Sequence, residues 1–171
     1  MRKDKDSRWK KIADGRRQNP PEKGATMKLY VAYGSNLSVE QMAFRCPDAE
    51  IVGKGKLKEW RLEFGRHATI VPAEGSEVPV LVWSVTDEDE KKLDRYEGFP
   101  VYYYKDNVSV EMSDTGQIVE AMVYIMTEKQ KNGRPTQGYV DTIWSGYDRF
   151  GFDHKYILDA LDNNRDNIIC Y

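Results

Sequence analysis

Leu29-Tyr30-Val31-Ala32-Tyr33-Gly34-Ser35-Asn36-Leu37 is the most informative segment of this chain. Its apolar first half predicts a β-strand at Lys28–Tyr33, because a short apolar run bounded by turn residues is typical of a strand. The run stops at the turn Tyr33–Leu37, and a helix start follows directly at Ser38. A turn between a strand and a helix exposes several backbone N–H groups in one small concavity, which indicates a site for an anionic or carbonyl oxygen.

Four more segments have the composition of β-strands, with apolar and aromatic residues between turn residues. They are Glu50–Phe64, Val80–Val85, Val101–Met112 and Ile118–Met126. Gly53 and Gly55 interrupt the first of these segments and indicate a bulge or bend, and Ser113–Gly116 predicts a hairpin turn between the last two. Mostly β-structure with inserted helices favours an α+β fold: a small mixed, mostly antiparallel β-barrel or curled sheet with flanking helices.

Four helices are predicted from capping residues and apolar periodicity. They are Ser38–Phe44, Thr86–Gly98, an amphipathic segment that carries Tyr139–Tyr147, and Asp153–Leu161. Ser38 is the N-cap of the first helix, where Gln41 completes a capping box. Thr86 caps the second helix, and Gly98 ends it as a glycine just past the C-terminus.

The composition is that of a folded globular domain with a split in charge. The chain has 171 residues, of which 40% are hydrophobic, enough for one domain with a hydrophobic core. Residues 1–26 hold nine Lys/Arg against four Asp/Glu, whereas residues 27–171 hold 17 against 24. We predict that residues 1–26 form a basic, flexible extension and that residues 27–171 form a single domain. The acidic domain has no basic patch for nucleic acid.

The cysteines and histidines of the chain bear on its cellular compartment and on whether it binds a metal or a cofactor. Cys46 and Cys170 are widely separated, and no signal peptide precedes them, which favours a reducing cytoplasm. No run of 18 apolar residues indicates a membrane span. His67 and His154 lack a metal-ligand spacing, and Gly53-Lys54-Gly55 is too short for a dinucleotide fingerprint. The sequence therefore predicts neither a metal nor a cofactor.

Glu97 is the residue that a purely structural role explains least. It lies in the last turn of the second predicted helix, where the negative end of the helix dipole disfavours a carboxylate. It also follows the apolar residue Leu93 by four positions, so the two side chains share a helix face. Burial beside apolar surface raises the pKa of a carboxyl group, as a general acid and base near neutral pH requires. The alternative interpretation is a solvated glutamate at a frayed helix end.

The order of these motifs resembles that of the γ-glutamylcyclotransferase-like superfamily, which includes γ-glutamylcyclotransferases, γ-glutamylamine cyclotransferases and the butirosin-pathway cyclotransferase. The resemblance rests on the turn Tyr33–Leu37 and on Leu93–Gly98 at the end of an acidic helix. A tyrosine-bearing strand and the helical region Pro135–Leu161 follow in the same order. The resemblance covers residues 28–161 and implies the barrel fold of that superfamily.

The resemblance also implies a reaction. The α-amine of a small γ-glutamyl substrate attacks its own γ-carbonyl, and 5-oxoproline and a free amine are released without a metal, a cofactor or a protein nucleophile. Glu97 is implied as general base and acid. The implied substrate-binding residues are Tyr33, Gly34, Ser35, Asn36 and Leu37 of the turn, together with a tyrosine on the strand after Glu97.

Several tyrosines compete for the position on that strand. Of Tyr102, Tyr103 and Tyr104 we favour Tyr103, because on an extended strand it faces opposite to its two neighbours. Tyr124 and Tyr139 are further candidates for substrate binding. Ordinary packing in the core is the alternative for each of these side chains.

Two other functions stay open from the sequence. A cyclotransferase for a larger γ-glutamyl conjugate is one, with the aromatic segments Trp144–Tyr147 and Phe150–Phe152 forming a roomier pocket. A non-catalytic domain that binds a small molecule or a partner is the other. The position of Glu97 discriminates between catalysis and binding, because catalysis requires the carboxylate to face a cavity beside Gly34–Asn36. The leaving amine and the oligomeric state have no signal in the sequence.

Overall fold

The computed structural model describes residues 26–169, in which five strands form a closed barrel. The strands are β1 Met27–Ala32, β2 Glu50–Phe64, β3 Ala68–Thr86, β4 Tyr103–Met112 and β5 Ile118–Met126. Their order around the barrel is β1-β3-β2-β4-β5. All neighbours are antiparallel except β1 and β5, whose parallel contact pairs Tyr30 with Met122. The predicted α+β fold with a mixed, mostly antiparallel barrel is confirmed.

Four α-helices flank the barrel within the described residues. They are α1 Val39–Arg45, α2 Asp87–Glu97, α3 Gln137–Phe150 and α4 Lys155–Ile169, with short 3-10 helices at Ser35–Leu37 and Glu128–Gln130. None of these helices is long and apolar enough to cross a membrane. The basic extension predicted for residues 1–26 lies outside the described residues, apart from Thr26.

The helix caps agree with the sequence in all but one detail. Ser38 accepts a hydrogen bond from the Gln41 backbone N–H at 3.2 Å, but the Gln41 side-chain oxygen has no partner, so only half of the predicted capping box forms. At the start of α2 the box is complete, between Thr86 and Asp89. Gly98 ends α2 in the left-handed region, with φ of +64°, as its place after the helix predicts.

Strand β3 is much longer than the predicted Val80–Val85 segment. It begins at Ala68 and pairs with β2 from Phe64 to Glu50. Pro72, Gly75 and Pro79 lie within it, and these residue types argue locally against a strand. Pairing with a long neighbouring strand overrides that local preference, because the β2 backbone supplies the hydrogen-bond partners along most of its length.

Gly55 lies where the barrel closes between β2 and β4. A Cβ atom on this glycine would meet Val110 Cγ1 at 2.6 Å and the Glu111 carbonyl oxygen at 2.9 Å. One register shift of β2 lies between Ile51 and Gly53, which agrees with the bulge predicted at Gly53, and a second lies between Lys58 and Trp60, whereas Gly55 pairs in unbroken register. Close approach of the β4 backbone, rather than a bend, therefore explains the glycine at position 55.

Helix α3 packs its apolar face over the 3-10 turn at the end of β1. Ile143 and Tyr147 are fully buried, and Gly146 lies against Leu37, since a Cβ atom on this glycine would meet Leu37 Cβ at 2.7 Å. Trp144 stacks on His154 with ring centroids 4.0 Å apart. None of the aromatic residues of Trp144–Tyr147 and Phe150–Phe152 lines the cavity that contains Glu97.

Candidate active site

A cavity of about 470 Å³ brings the 3-10 turn and the end of α2 together. Eight residues predicted to form a site line it: Tyr33, Gly34, Ser35, Asn36, Glu97, Tyr103, Tyr124 and Tyr139. They come from the turn after β1, the end of α2, strands β4 and β5, and helix α3. Glu97 and the turn are thus parts of one cavity, although Asn36 and Glu97 are 61 residues apart in the chain.

Leu37 is the exception among the predicted site residues. Its side chain is fully buried and packs against Gly146 of α3, away from the residues that line the cavity. The Leu37 side chain is therefore not part of the cavity wall, and contact between Leu37 and a substrate stays a prediction. Its physical role is to anchor the turn to the core, because an apolar side chain without solvent contact stabilises the segment that carries it.

The turn itself is a single 3-10 turn at Ser35–Leu37. The Leu37 N–H donates to the Gly34 carbonyl and the Ser38 N–H donates to the Ser35 carbonyl, both at 3.0 Å. The N–H groups of Ser35 and Asn36 precede these bonds, at the end of a helix where N–H groups lack partners within the helix. They are the backbone donors of this turn that the 3-10 helix itself does not use.

Glu97 has the electrostatic character of an acid–base group. Its side chain is half-buried, since the cavity reaches it, but the protein around the carboxyl group leaves it poorly hydrated. Burial raises the pKa of Glu97 to about 7, and the positive charge of Arg45 opposes this effect only in part. The Asn36 side-chain amide donates to Glu97 Oε1 at 3.4 Å. The burial of the carboxyl group thus gives a physical cause for the raised pKa expected from the helix position.

Tyr103 and Tyr139 hold the peptide groups of Ala68, the first residue of β3. The Tyr103 hydroxyl donates to the Ala68 carbonyl at 2.7 Å, and the Ala68 N–H donates to the Tyr139 hydroxyl at 3.0 Å. Tyr103 is buried, whereas Tyr102 and Tyr104 are exposed, as strand alternation predicts. Burial, with the Glu97 charge adding to it, raises the pKa of both cavity phenols, so they stay neutral.

The hydroxyl groups of Tyr33 and Tyr124 are bonded to the protein rather than turned to a ligand. The Tyr33 hydroxyl donates to the Tyr124 carbonyl at 2.5 Å, and the Tyr124 hydroxyl donates to Asp94 Oδ1 at 2.6 Å. Both residues still line the cavity. Their hydrogen bonds indicate that they shape the cavity wall, with the rings as the available contact surface.

Residues outside the predicted set also line the cavity, among them Tyr30, Tyr96, Arg66, His67 and Arg95, and Arg45 contacts the site without lining the cavity. Tyr30 accepts a hydrogen bond from the Asn36 amide at 2.8 Å, and the Arg45 guanidinium lies 3.4 Å from the ring centroid of Tyr96. The place of Tyr30 on the predicted strand with the motif turn was a usable signal. Arg45 had none, because a basic residue in the last turn of a helix is expected from the helix dipole alone.

The raised pKa of Glu97 predicts a pH-dependent gain of stability in Glu97→Gln. The folded protein keeps the Glu97 proton up to about pH 7, whereas the unfolded chain loses it near the ordinary glutamate pKa of 4.5. Stability therefore falls as the pH rises from about 4.5 to 7, by roughly 1–3 kcal/mol. We expect Glu97→Gln to unfold at a higher temperature than the native protein at pH 8 and at a similar temperature at pH 4.

Glu88→Gln is the matched control for this measurement, because Glu88 is exposed on the same helix. Thermal melts at both pH values compare the three proteins. A Glu97→Gln variant that is less stable than the native protein at pH 8 contradicts the raised pKa.

Family comparison identifies the group of proteins to which this barrel and cavity belong. Residues 30–145 match the family described as Gamma-glutamyl cyclotransferase, AIG2-like, and the chain therefore belongs to this family. It is 29% identical to the Gamma-glutamylcyclotransferase of Homo sapiens over 153 residues, which cover 80% of this chain and 79% of the human protein. A putative gamma-glutamylcyclotransferase of Methanocaldococcus jannaschii is 34% identical over 86 residues, or 47% of this chain and 68% of that protein.

Solved structures show the same fold. A structure titled Gamma-glutamyl cyclotransferase superposes with a TM-score of 0.69 at 27% identity, over 79% of this chain and 86% of that chain. A crystal structure of an uncharacterized protein from Homo sapiens gives a TM-score of 0.70 at 28% identity, over 78% of this chain and 86% of that chain. The chain is thus distantly homologous to gamma-glutamylcyclotransferase enzymes.

Proposed function

We propose that this protein is a cyclotransferase that releases 5-oxoproline and a free amine from a small γ-glutamyl amine or peptide. The observation that carries the proposal is the position of Glu97, a half-buried carboxyl group in the same cavity as Gly34, Ser35 and Asn36. Its pKa of about 7 suits a group that both accepts and donates a proton near neutral pH. Membership of the gamma-glutamyl cyclotransferase family supports the same reaction.

In the proposed reaction, the Glu97 carboxylate accepts a proton from the α-ammonium group of the substrate. The freed amine attacks the γ-carbonyl carbon, a ring C–N bond forms, and negative charge develops on the carbonyl oxygen. The backbone N–H groups of Ser35 and Asn36 supply donors for that oxygen. Because nucleophile and carbonyl belong to one molecule, holding the substrate in a cyclising conformation lowers the barrier further.

The second half of the reaction breaks the original amide bond. Protonated Glu97 donates its proton to the leaving nitrogen as the C–N bond to that nitrogen breaks, and the amine is released. Ring closure removes two protons from the α-ammonium group in total. One is delivered to the leaving nitrogen, and the other passes to the amine product or to water, so Glu97 ends as the carboxylate from which it began.

The position of Glu97 also favours catalysis over a binding-only role. A glutamate that faced solvent would have kept the ordinary pKa of an exposed carboxyl group, whereas burial raises the pKa of Glu97. Shifts of this kind in a cavity are typical of catalytic groups. The cavity of about 470 Å³ lies within the usual range of small-molecule sites.

A substrate panel tests the proposal. The purified full chain is incubated with γ-glutamyl amino acids, a γ-glutamyl tripeptide, γ-glutamyl alkylamines and a γ-glutamyl-ε-lysine compound, and 5-oxoproline is measured by mass spectrometry. We expect release from at least one class, with equimolar free amine. Hydrolysis to glutamate, or no product from any substrate, contradicts the proposed reaction.

The pKa of Glu97 predicts the pH dependence of the reaction. The deprotonated form accepts the first proton, so kcat/KM should rise with pH through about 7 and level off above it. Initial rates at low substrate concentration between pH 5 and 9 measure this rise of kcat/KM with pH. A kcat/KM that is flat across pH 6 to 8 contradicts a general base with a pKa of about 7.

A further inference from the structure

The Asn36 side-chain amide is held by three neighbours and is almost fully buried, with 3% of its surface exposed. Its oxygen Oδ1 accepts a hydrogen bond from Arg45 Nη1. Its nitrogen Nδ2 donates to the Tyr30 hydroxyl at 2.8 Å and to Glu97 Oε1 at 3.4 Å. The amide therefore forms a bridge from the guanidinium of α1 to the carboxyl group of α2.

The Arg45 guanidinium determines which end of the Asn36 amide faces Glu97. Arginine has only N–H donors, so it binds the oxygen end of the amide and leaves the NH2 end for Glu97. Without the guanidinium, rotation of the amide by half a turn would bring Asn36 Oδ1 towards the Glu97 carboxylate. Two acceptor groups would then face each other in a poorly hydrated cavity, which is unfavourable.

Arg45 is itself held in place from two sides. Its guanidinium lies over the Tyr96 ring, 3.4 Å from the centroid, and Nη1 lies 3.5 Å from Ser35 Oγ. Tyr96 precedes Glu97 in α2, and Ser35 precedes Asn36 in the turn. Arg45 thus contacts the residue before Asn36 and the residue before Glu97, which makes its position sensitive to the geometry of the whole site.

We propose that Arg45 is a positioning residue that orients the Asn36 amide so that its NH2 group faces Glu97; this role rests on the proposed function of Glu97. The amide then stabilises the carboxylate that accepts the substrate proton and restricts its rotation. Other titratable side chains also surround Glu97. Four are phenols that stay neutral when Glu97 is ionised: Tyr30 of β1, Tyr33 after it, Tyr103 of β4 and Tyr139 of α3. The cavity is also lined by Arg66, His67, Arg95, Tyr96, Tyr102 and Tyr124.

A measurement without substrate tests the orientation directly. The side-chain ¹⁵N–¹H signals of Asn36, assigned by their loss in Asn36→Ala, are followed between pH 5 and 9. In the native protein we expect them to shift with the ionisation of Glu97 and to lose that shift in Glu97→Gln. In Arg45→Met the response should change in size or sign, because the amide is then free to rotate as Glu97 gains or loses its proton. The same response in Arg45→Met as in the native protein overturns the proposal.

Arg149→Met is the matched control. Arg149 Nη2 pairs with Glu40 of α1 at 2.7 Å, so this variant also removes an arginine contact to α1, but it does not touch the amide. We expect it to keep the native Asn36 response. Arg45→Lys should restore part of the response, because lysine can donate to Oδ1 but lacks the planar group that stacks on Tyr96.

Kinetics on a substrate of the native protein separate positioning from simple loss of structure. We expect Arg45→Met to lower kcat by about 10- to 100-fold, the effect of one charge-assisted hydrogen bond, with little change in KM. In the Asn36→Ala background the same change should lower kcat by less than about 3-fold, because the amide is already absent. Equal losses of kcat in both backgrounds overturn the proposal.

A native protein without turnover contradicts the proposed function instead. The pH response of the Asn36 amide signals still tests the role of Arg45 in that case.

Discussion

Glu97→Gln is expected to lower kcat for 5-oxoproline release by about 10³-fold, within the range of 10² to 10⁴ that a general acid and base contributes. Glutamine keeps the size of the side chain and can still meet the Asn36 amide through its oxygen. It cannot accept the proton of the α-ammonium group or return one to the leaving nitrogen. KM should change little, because the turn that faces Glu97 across the cavity is intact.

The control for this experiment is Glu88→Gln, which makes the same chemical change at an exposed position of α2. Its kcat should equal that of the native protein within about 2-fold, since surface charges away from a site have small effects. Circular dichroism and a thermal melt establish that both variants are folded. A folded Glu97→Gln variant with native turnover shows that another group transfers the protons.

Gly55→Ala is expected to destabilise the protein by about 2–3 kcal/mol, the upper range for overpacking a closely packed site. Its new methyl group would meet Val110 Cγ1 at 2.6 Å and the Glu111 carbonyl oxygen at 2.9 Å. The side chain can rotate away, but the carbonyl oxygen belongs to the β4 backbone, whose pairing with β2 closes the barrel. Relief therefore requires the two strands to separate at their only paired positions, Gly55 with Met112 and Lys56 with Glu111, within the described residues.

Gly138→Ala makes the same substitution where the structure has room. Gly138 is exposed near the start of α3, and no other part of the protein lies within 4 Å of an added Cβ atom. Alanine should leave stability unchanged or raise it by up to about 1 kcal/mol, since it favours a helix over glycine. Urea unfolding of both variants gives the comparison. Equal stabilities for Gly55→Ala and the native protein would show that the β2–β4 contact accommodates an added methyl group despite the short distances.

The sequence predicted the parts of the site that depend on local conformation. A strand, a turn and a helix cap could be placed from Leu29 to Gln41 because each depends on residues a few positions apart. The same holds for the end of α2 at Gly98 and for the inward direction of Tyr103, which follows from the two-residue period of a strand. The raised pKa of Glu97 followed from its place beside Leu93 on an apolar helix face.

Local sequence patterns were therefore enough to predict the strands and helices, to locate the turn and Glu97, and to recognise the family resemblance that links the turn with Glu97. The tertiary structure decided the full length of β3, the role of Gly55, and the burial of Leu37 against α3 rather than in the cavity. It also decided that Arg45 holds the Asn36 amide. The physical reason is that these features depend on barrel closure and strand register, which bring distant residues into contact, whereas local patterns encode only the preferences of neighbouring residues.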